Sequence, residues 1–159
     1  AIGADFVRVE NFAYAHVADE GLMPTAAAGP LLRYRRQIGA EHVRILADIK
    51  KKHSSHAITQ DLSIGDVAEA EFFKADGVIV TGSATGRPAA VEDLQAVCEA
   101  IDLPVLVGSG TTPETICEQW PHADGFIVGS YFKRGGRWQA AVDVARVRAL
   151  MRVVERLRG

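Results

Sequence analysis

The alternation of short apolar runs with helical patterns constrains this chain more than any other feature. Five runs, Asp5–Glu10, Val43–Lys50, Val78–Thr81, Val105–Gly108 and Phe126–Gly129, are each followed by a segment of helical periodicity. Strands alternating with helices predict an α/β domain with a parallel sheet, because a parallel neighbour is reached only through a crossover. The helix starts are marked. Ser63-Ile64-Gly65-Asp66 is a capping box ahead of Val67–Phe73, and Thr112-Pro113 supplies an N-cap and a first-turn proline ahead of Glu114–Trp120. Val91, Leu94, Val97, Cys98 and Ile101 form one apolar helix face between them.

An Ala-Asp pair introduces three of these strands, within Gly3–Val7, Lys74–Val78 and His122–Phe126. The second follows a helix directly, whereas Ala1-Ile2-Gly3 has no helical pattern before it, so the chain reads as starting at the tail of a helix outside the sequence. A (β/α)8 TIM barrel needs eight units and at least about 200 residues. This chain has 159 residues and five units. An open doubly wound sheet would accommodate five strands, but no G-x-G-x-x-G or Walker sequence follows the first. The fold expected is therefore the C-terminal five βα units, strands 4–8, of a TIM barrel, with residues 1–159 as one domain and three units of about 100 residues lying outside it. Such a chain has two unpaired strand edges, which predicts a homo-oligomer or a covering N-terminal segment as partner.

Net charge is −2, but Lys133–Gly159 carries +6 and the remainder −8. Arg148, Arg152 and Arg156 recur every four residues opposite an apolar stripe of Val144, Val147, Leu150, Met151, Val154 and Leu157, as expected of a solvated helix face. Nucleic acid is not an expected partner, since no aromatic stacking residues accompany these charges. No apolar run of about 18 residues exists for a transmembrane helix, and Ala1–Glu10 does not read as a signal peptide. Cys98 and Cys117 fit neither a disulfide framework nor a CxxC site, and are expected to be reduced core thiols of a cytoplasmic protein.

The chemistry is expected where strands open into the barrel mouth, because a parallel strand is buried on both faces and tolerates charge only there. Alternation puts Val7 and Val9 under the helices and Arg8 and Glu10 inward; on the next strand Ile45, Ala47 and Ile49 pack outward while Asp48 and Lys50 point inward. Four opposite charges are thereby predicted to meet. The continuation Lys50-Lys51-Lys52-His53-Ser54-Ser55-His56 is an anion-seeking loop, in which Lys50 and Lys52 share the inward parity and His53 or His56 shuttles protons near neutral pH. Asp48, Lys50 and His53 are the catalytic candidates. Glu10, Asn11, Lys52 and Thr81 are expected to bind substrate, together with Gly108, Ser109 and Gly110 after the fourth strand and Gly129 and Ser130 after the fifth. Glycines and hydroxyls after the last two barrel strands commonly cradle phosphate. The ligand expected is a small anionic or phosphorylated molecule. His16, Asp19, Glu20, His53 and His56 have no metal-ligand spacing, so no metal is assigned, and no cofactor is identified.

Several segments together carry a family likeness. Ala4–Asn11, Val17–Leu22, Leu31–Arg35, Ala47–Ser54 with His56-Ala57-Ile58, Ala75–Gly82 and Val107–Gly110 resemble the BtpA/SgcQ family. The Asp48–His56 segment is specific, since no folding rule demands it. The resemblance implies a TIM barrel and two roles: photosystem I biogenesis in phototrophs, or a sugar- or nucleoside-processing enzyme in other bacteria. An enzyme would hold its ligand's anion at Gly108–Gly110 and Gly129-Ser130 and transfer protons with Asp48 and Lys50. An assembly factor would instead use an exterior patch for protein contacts.

Overall fold

The computed structural model describes residues 3–19, 21–51, 53–82 and 87–159. In chain order the elements are β1 (Phe6–Val9), β2 (His16–Ala18), β3 (Gly21–Met23), α1 (Ala28–Gln37), β4 (Arg44–Ile49), β5 (Ser54–Ser55), α2 (Ile64–Glu71), β6 (Gly77–Val80), α3 (Val91–Ala100), β7 (Val105–Val107), α4 (Thr115–Gln119), β8 (Gly125–Phe126) and α5 (Val144–Arg158). All five predicted strands are present and pair in parallel as β1-β4-β6-β7-β8. The order follows the chain without reversal. An order without reversal differs from that of a doubly wound sheet, whose strand order turns back at a switch point. The sheet does not close: β1 and β8 are its edges.

Alternation explains which residues form the core. Ile45, Ala47 and Ile49 of β4, Val78 and Val80 of β6, and Val105 and Val107 of β7 are almost fully buried. Against the three central strands pack Val67 and Ala68 of α2 and Leu94 and Val97 of α3. The opposite face carries Arg8, Leu46, Asp48, Ile79 and Leu106. The α2 capping box forms as predicted, with Ser63 Oγ accepting from Asp66 N while the Asp66 carboxylate accepts from Ser63 N. Helix α4 begins at Thr115, later than expected, yet Thr112 Oγ1 still accepts from the backbone N–H of Glu114 and Thr115.

Three expectations are corrected. Cys98 and Cys117 are exposed thiols, not core groups, because Leu94 and Val97 take the buried side of α3. On α5 the buried residues are Leu150, Val153 and Val154, whereas Val144 and Met151 are exposed. Val7 is 37% exposed and Phe6 56%, since β1 is an edge with no helix laid over its outer flank. A second, small antiparallel sheet, β3-β2-β5, pairs Val17 with Ser55 and Ala18 with Ser54. It ties the lysine- and histidine-rich segment to the connection that follows β1.

Candidate functional site

The C-terminal strand ends open into a cavity of about 370 Å³ lined by Arg8, Gly108–Thr112, Ile127, Gly129–Tyr131, Gly136 and Arg146. Arg8 belongs to one edge strand, and Gly129–Tyr131 follows the other. One cavity therefore touches both ends of the strand order.

On the β1–β4 side Arg8, Glu10 and Asp48 meet as alternation predicts, with Lys51 in the place expected for Lys50. Arg8 Nε and Nη2 donate to Asp48 Oδ2 and Oδ1, both at 2.9 Å, a bidentate pair with the Asp48 side chain fully buried. Burial raises Asp48 above its ordinary carboxylate range, although the Arg8 guanidinium pulls the other way. The second pair is Lys51 with Glu10, not Lys50 with Glu10. Lys50 adopts a left-handed backbone, φ 44°, at the end of β4. That residue breaks the alternation, passes the inward position to Lys51, and turns the Lys50 ammonium to the Leu62 carbonyl.

The other candidates on this side are dispersed. Asn11 donates from its side-chain amide to the Thr25 carbonyl at 3.0 Å. His53 is exposed, with φ 57°, and its carbonyl accepts from Asp19 N. His56 Nε2 lies 2.9 Å from the Lys51 carbonyl and its ring sits 5.6 Å from that of His16. Lys52 and the Ser83–Gly86 stretch lie outside the described residues.

The β7–β8 side is built differently. Gly108, Ser109, Gly110, Gly129 and Ser130 all line the cavity, as the sequence grouped them. Thr81 is buried beneath it, and a Cβ on Gly108 would meet Thr81 Cγ2 at 2.9 Å. Ser109 is 6% exposed, so it is a wall of the cavity and not a loop tip. Gly110 has φ 70°, and a Cβ there would lie 2.4 Å from the Arg87 and Pro88 backbone; its glycine answers to chain packing first. Gly129 is exposed with open space around it, leaving its backbone approachable. Thr111 Oγ1 is buried with no hydrogen-bond partner among the described residues.

Arg146, on the first turn of α5, is the residue that sequence reasoning missed. Its guanidinium stacks 4.3 Å from the centroid of the Tyr131 ring and its Nε donates to the Tyr131 carbonyl, fixing a cation on the cavity wall. It lies off the Arg148, Arg152, Arg156 spacing, which was the available signal. Glu71 was missed as well; it is 1% exposed beneath a neighbouring cleft, and burial pushes its carboxyl up to about 7. Its spacing from Val67 and Ala68 on one helix face marks it as buried.

Among the described residues no cluster of His, Cys, Asp and Glu has the arrangement of a metal site. No helix among them is long and apolar enough to cross a membrane.

Known proteins resemble this arrangement in sequence and in fold. The profile of the BtpA family matches residues 1–156. An uncharacterized mitochondrial protein of Caenorhabditis elegans is 48% identical over 98% of this chain and 56% of its own length. An uncharacterized protein of Thermococcus kodakarensis is 37% identical over 99% of this chain and 59% of its own. The photosystem I biogenesis protein BtpA of Synechocystis is 38% identical over 94% of this chain and 52% of its own. The chain thus spans somewhat over half the length of these relatives. In fold it is similar to wild-type GGGPS from Thermoplasma volcanium, with a TM-score of 0.55 at 15% identity over 96% of this chain and 64% of that one.

Proposed function

The chain belongs to the BtpA family, and from that premise we propose that it is part of a TIM-barrel enzyme that binds a small phosphorylated or otherwise anionic sugar or nucleoside at the barrel mouth. The supporting observation is the cavity that joins glycine- and hydroxyl-rich loops to the fixed cation of Arg146. Arg146 commits its Nε to Tyr131, so its Nη groups are the donors for a bound phosphate, next to the backbone of Gly108–Gly110 and Gly129-Ser130. At the opposite wall Arg8 is already paired with Asp48. A neutral pair with donor and acceptor atoms suits the hydroxyl-bearing body of the ligand, where Asp48, raised by burial, exchanges a proton. Lys50, Lys52, His53, Glu10, Asn11 and Thr81 stay candidates with smaller expected effects, since none of the described ones among them lines this cavity. No cofactor is invoked.

The test is to incubate the protein with a panel of sugar and nucleoside phosphates and follow each by phosphorus NMR. Saturable binding or turnover of at least one, abolished by Ser130→Glu, is the expected result. Ser130 is only half-buried, so a carboxylate there opposes the anion without burying a charge in the wall. Absence of any binding, or binding unaffected by the substitution, would remove the function from this cavity.

A second reading has its own observation. A groove of about 500 Å³ runs between β1 and α1, lined by Val7, Leu31, Tyr34, Ile38, Val43 and Ile45, beside the exposed Phe6. An apolar groove next to an unpaired strand edge is a protein-contact surface. It supports either domain completion by three further βα units, which the greater length of the relatives accommodates, or the assembly role that the name of the Synechocystis relative carries. Light scattering on the 159-residue chain tests it: self-association relieved by Phe6→Lys is expected, and a compact monomer of 17.1 kDa that unfolds cooperatively counts against it. Two exposed free thiols, Cys98 and Cys117, favour a reducing compartment, and we place the protein in the cytoplasm on that ground.

A further inference from the structure

Below the β1–β4 charges lies a second, much smaller cavity of about 20 Å³, and its base is a carboxyl group that the proposed chemistry does not use. Glu71 closes α2 with its side chain turned into the protein, 1% exposed. Glu71 Oε1 accepts from the Ala13 N–H at 3.1 Å. Glu71 Oε2 is buried and has no hydrogen-bond partner among the described residues. A buried carboxyl oxygen without a donor costs roughly 1–3 kcal/mol, so such an atom in a folded protein calls for an explanation.

The cavity supplies one. About 20 Å³ is the room that one water needs, and a water is held where it has two to four polar partners. Thr59, His16 and His56 line the same space, with Phe12 and Val67 closing it. The charged and titratable groups facing it are Glu10 and His16 from the segment after β1, Asp48 and Lys50 from the end of β4, and His56 after β5. Lys74 follows α2, but its ammonium is directed to the Ala70 carbonyl, so no cation is bonded to Glu71. Burial favours the protonated carboxyl, against the pull of the Ala13 N–H and of Lys74, and a protonated carboxyl donates where a carboxylate only accepts.

We propose that this cavity is a proton-holding site beneath the mouth, in which Glu71 keeps a proton and shares it with one bound water. A carboxyl so placed exchanges its proton near neutral pH, consistent with burial pushing Glu71 up to about 7. The site stands independently of the phosphate reading, because it is defined by Glu71, Ala13 and the cavity alone.

The experiment is a carboxyl-carbon NMR titration of the whole 159-residue chain, with the Ala13 amide proton followed in the same samples and a water-selective NOE recorded to that amide and to the Val67 methyls. Expected are a single midpoint near 7 for the Glu71 carbon, a parallel shift of the Ala13 amide, and an NOE from a long-lived water. Glu71→Gln should abolish both titrations and keep the fold, since glutamine preserves the acceptor for Ala13. Val67→Ile, which narrows the cavity, should weaken the NOE while Glu71 still titrates. A Glu71 midpoint in the ordinary carboxylate range, or a cavity with no NOE in the wild-type protein, would overturn the proposal.

Discussion

The two halves of the mouth use charge in opposite ways. On the β1–β4 half, Arg8 is spent on Asp48 and Lys51 on Glu10, so four charged groups leave almost no net field. On the β7–β8 half, Arg146 is held by a ring face and a carbonyl, neither of which neutralises it; Glu114, which Arg146 helps hold below its ordinary range, is exposed and accepts from Thr112 Oγ1. The difference separates two jobs. Internally paired charges shape and rigidify a wall, and a cation with no carboxylate bonded to it among the described residues attracts an anion.

The largest expected effect comes from breaking the paired half. Arg8→Met leaves the fully buried Asp48 side chain without its partner, which costs about 3–5 kcal/mol and lowers Tm by roughly 10 °C. Thermal unfolding of Arg8→Met, Asp48→Leu and the double variant checks it. A double variant more stable than Arg8→Met is the signature of a stranded charge.

Next in size is the pH dependence. The folded-state value for Glu71, about 7, lies above the ordinary 4.5, so the folded protein binds more protons than the unfolded chain between those values. Stability is therefore fully present below about 4.5 and declines as pH rises toward 7, by about 3 kcal/mol from this group. Asp48 is shifted in the same direction, so the difference between wild type and Glu71→Gln, not the wild-type profile alone, isolates Glu71. Glu71→Gln should equal wild type near pH 4.5 and exceed it at pH 8; parallel melting profiles would refute the assignment.

Smaller effects sharpen the comparison between neighbouring lysines. Lys51→Met should cost about 1 kcal/mol, because the Glu10 side chain is 42% exposed and water can replace the lost partner. Lys50→Met loses a hydrogen bond to Leu62, also about 1 kcal/mol or less, and the carboxylate it influences, Asp66, is exposed and still held by Ser63. Denaturant midpoints measure both, and a large loss from Lys50→Met would restore it to the charged cluster. Arg148, Arg152 and Arg156 replaced together by Gln should change stability by less than about 0.5 kcal/mol per site, since all three are exposed.

The parallel strands were legible because short apolar runs keep their identity when both faces are buried; four fall within one residue of the expected bounds, and the fifth, expected at Phe126–Gly129, stops at Phe126. Alternation alone brought Arg8, Glu10 and Asp48 together, without saying that Arg8 is the partner of Asp48. Lys51 did not, because alternation ends at the first left-handed residue and nothing in a run of three lysines says which one that is. The small sheet left no pattern either: His-Val-Ala, Gly-Leu-Met and Ser-Ser are too short and too mixed to show a period, and their pairing is set by tertiary contact. Arg146 enters the sequence pattern only as part of the basic charge of Lys133–Gly159, since the Tyr131 ring beneath it is remote in sequence.

The account stands most directly on anion binding at Arg146. Calorimetric titration of wild type and Arg146→Ala with inorganic phosphate and with glucose 6-phosphate measures it. The account predicts saturable binding to wild type, tighter for the sugar phosphate, and at least a tenfold loss in Arg146→Ala with little change in Tm. Equal affinity in the two proteins, or no binding to either ligand, would contradict it.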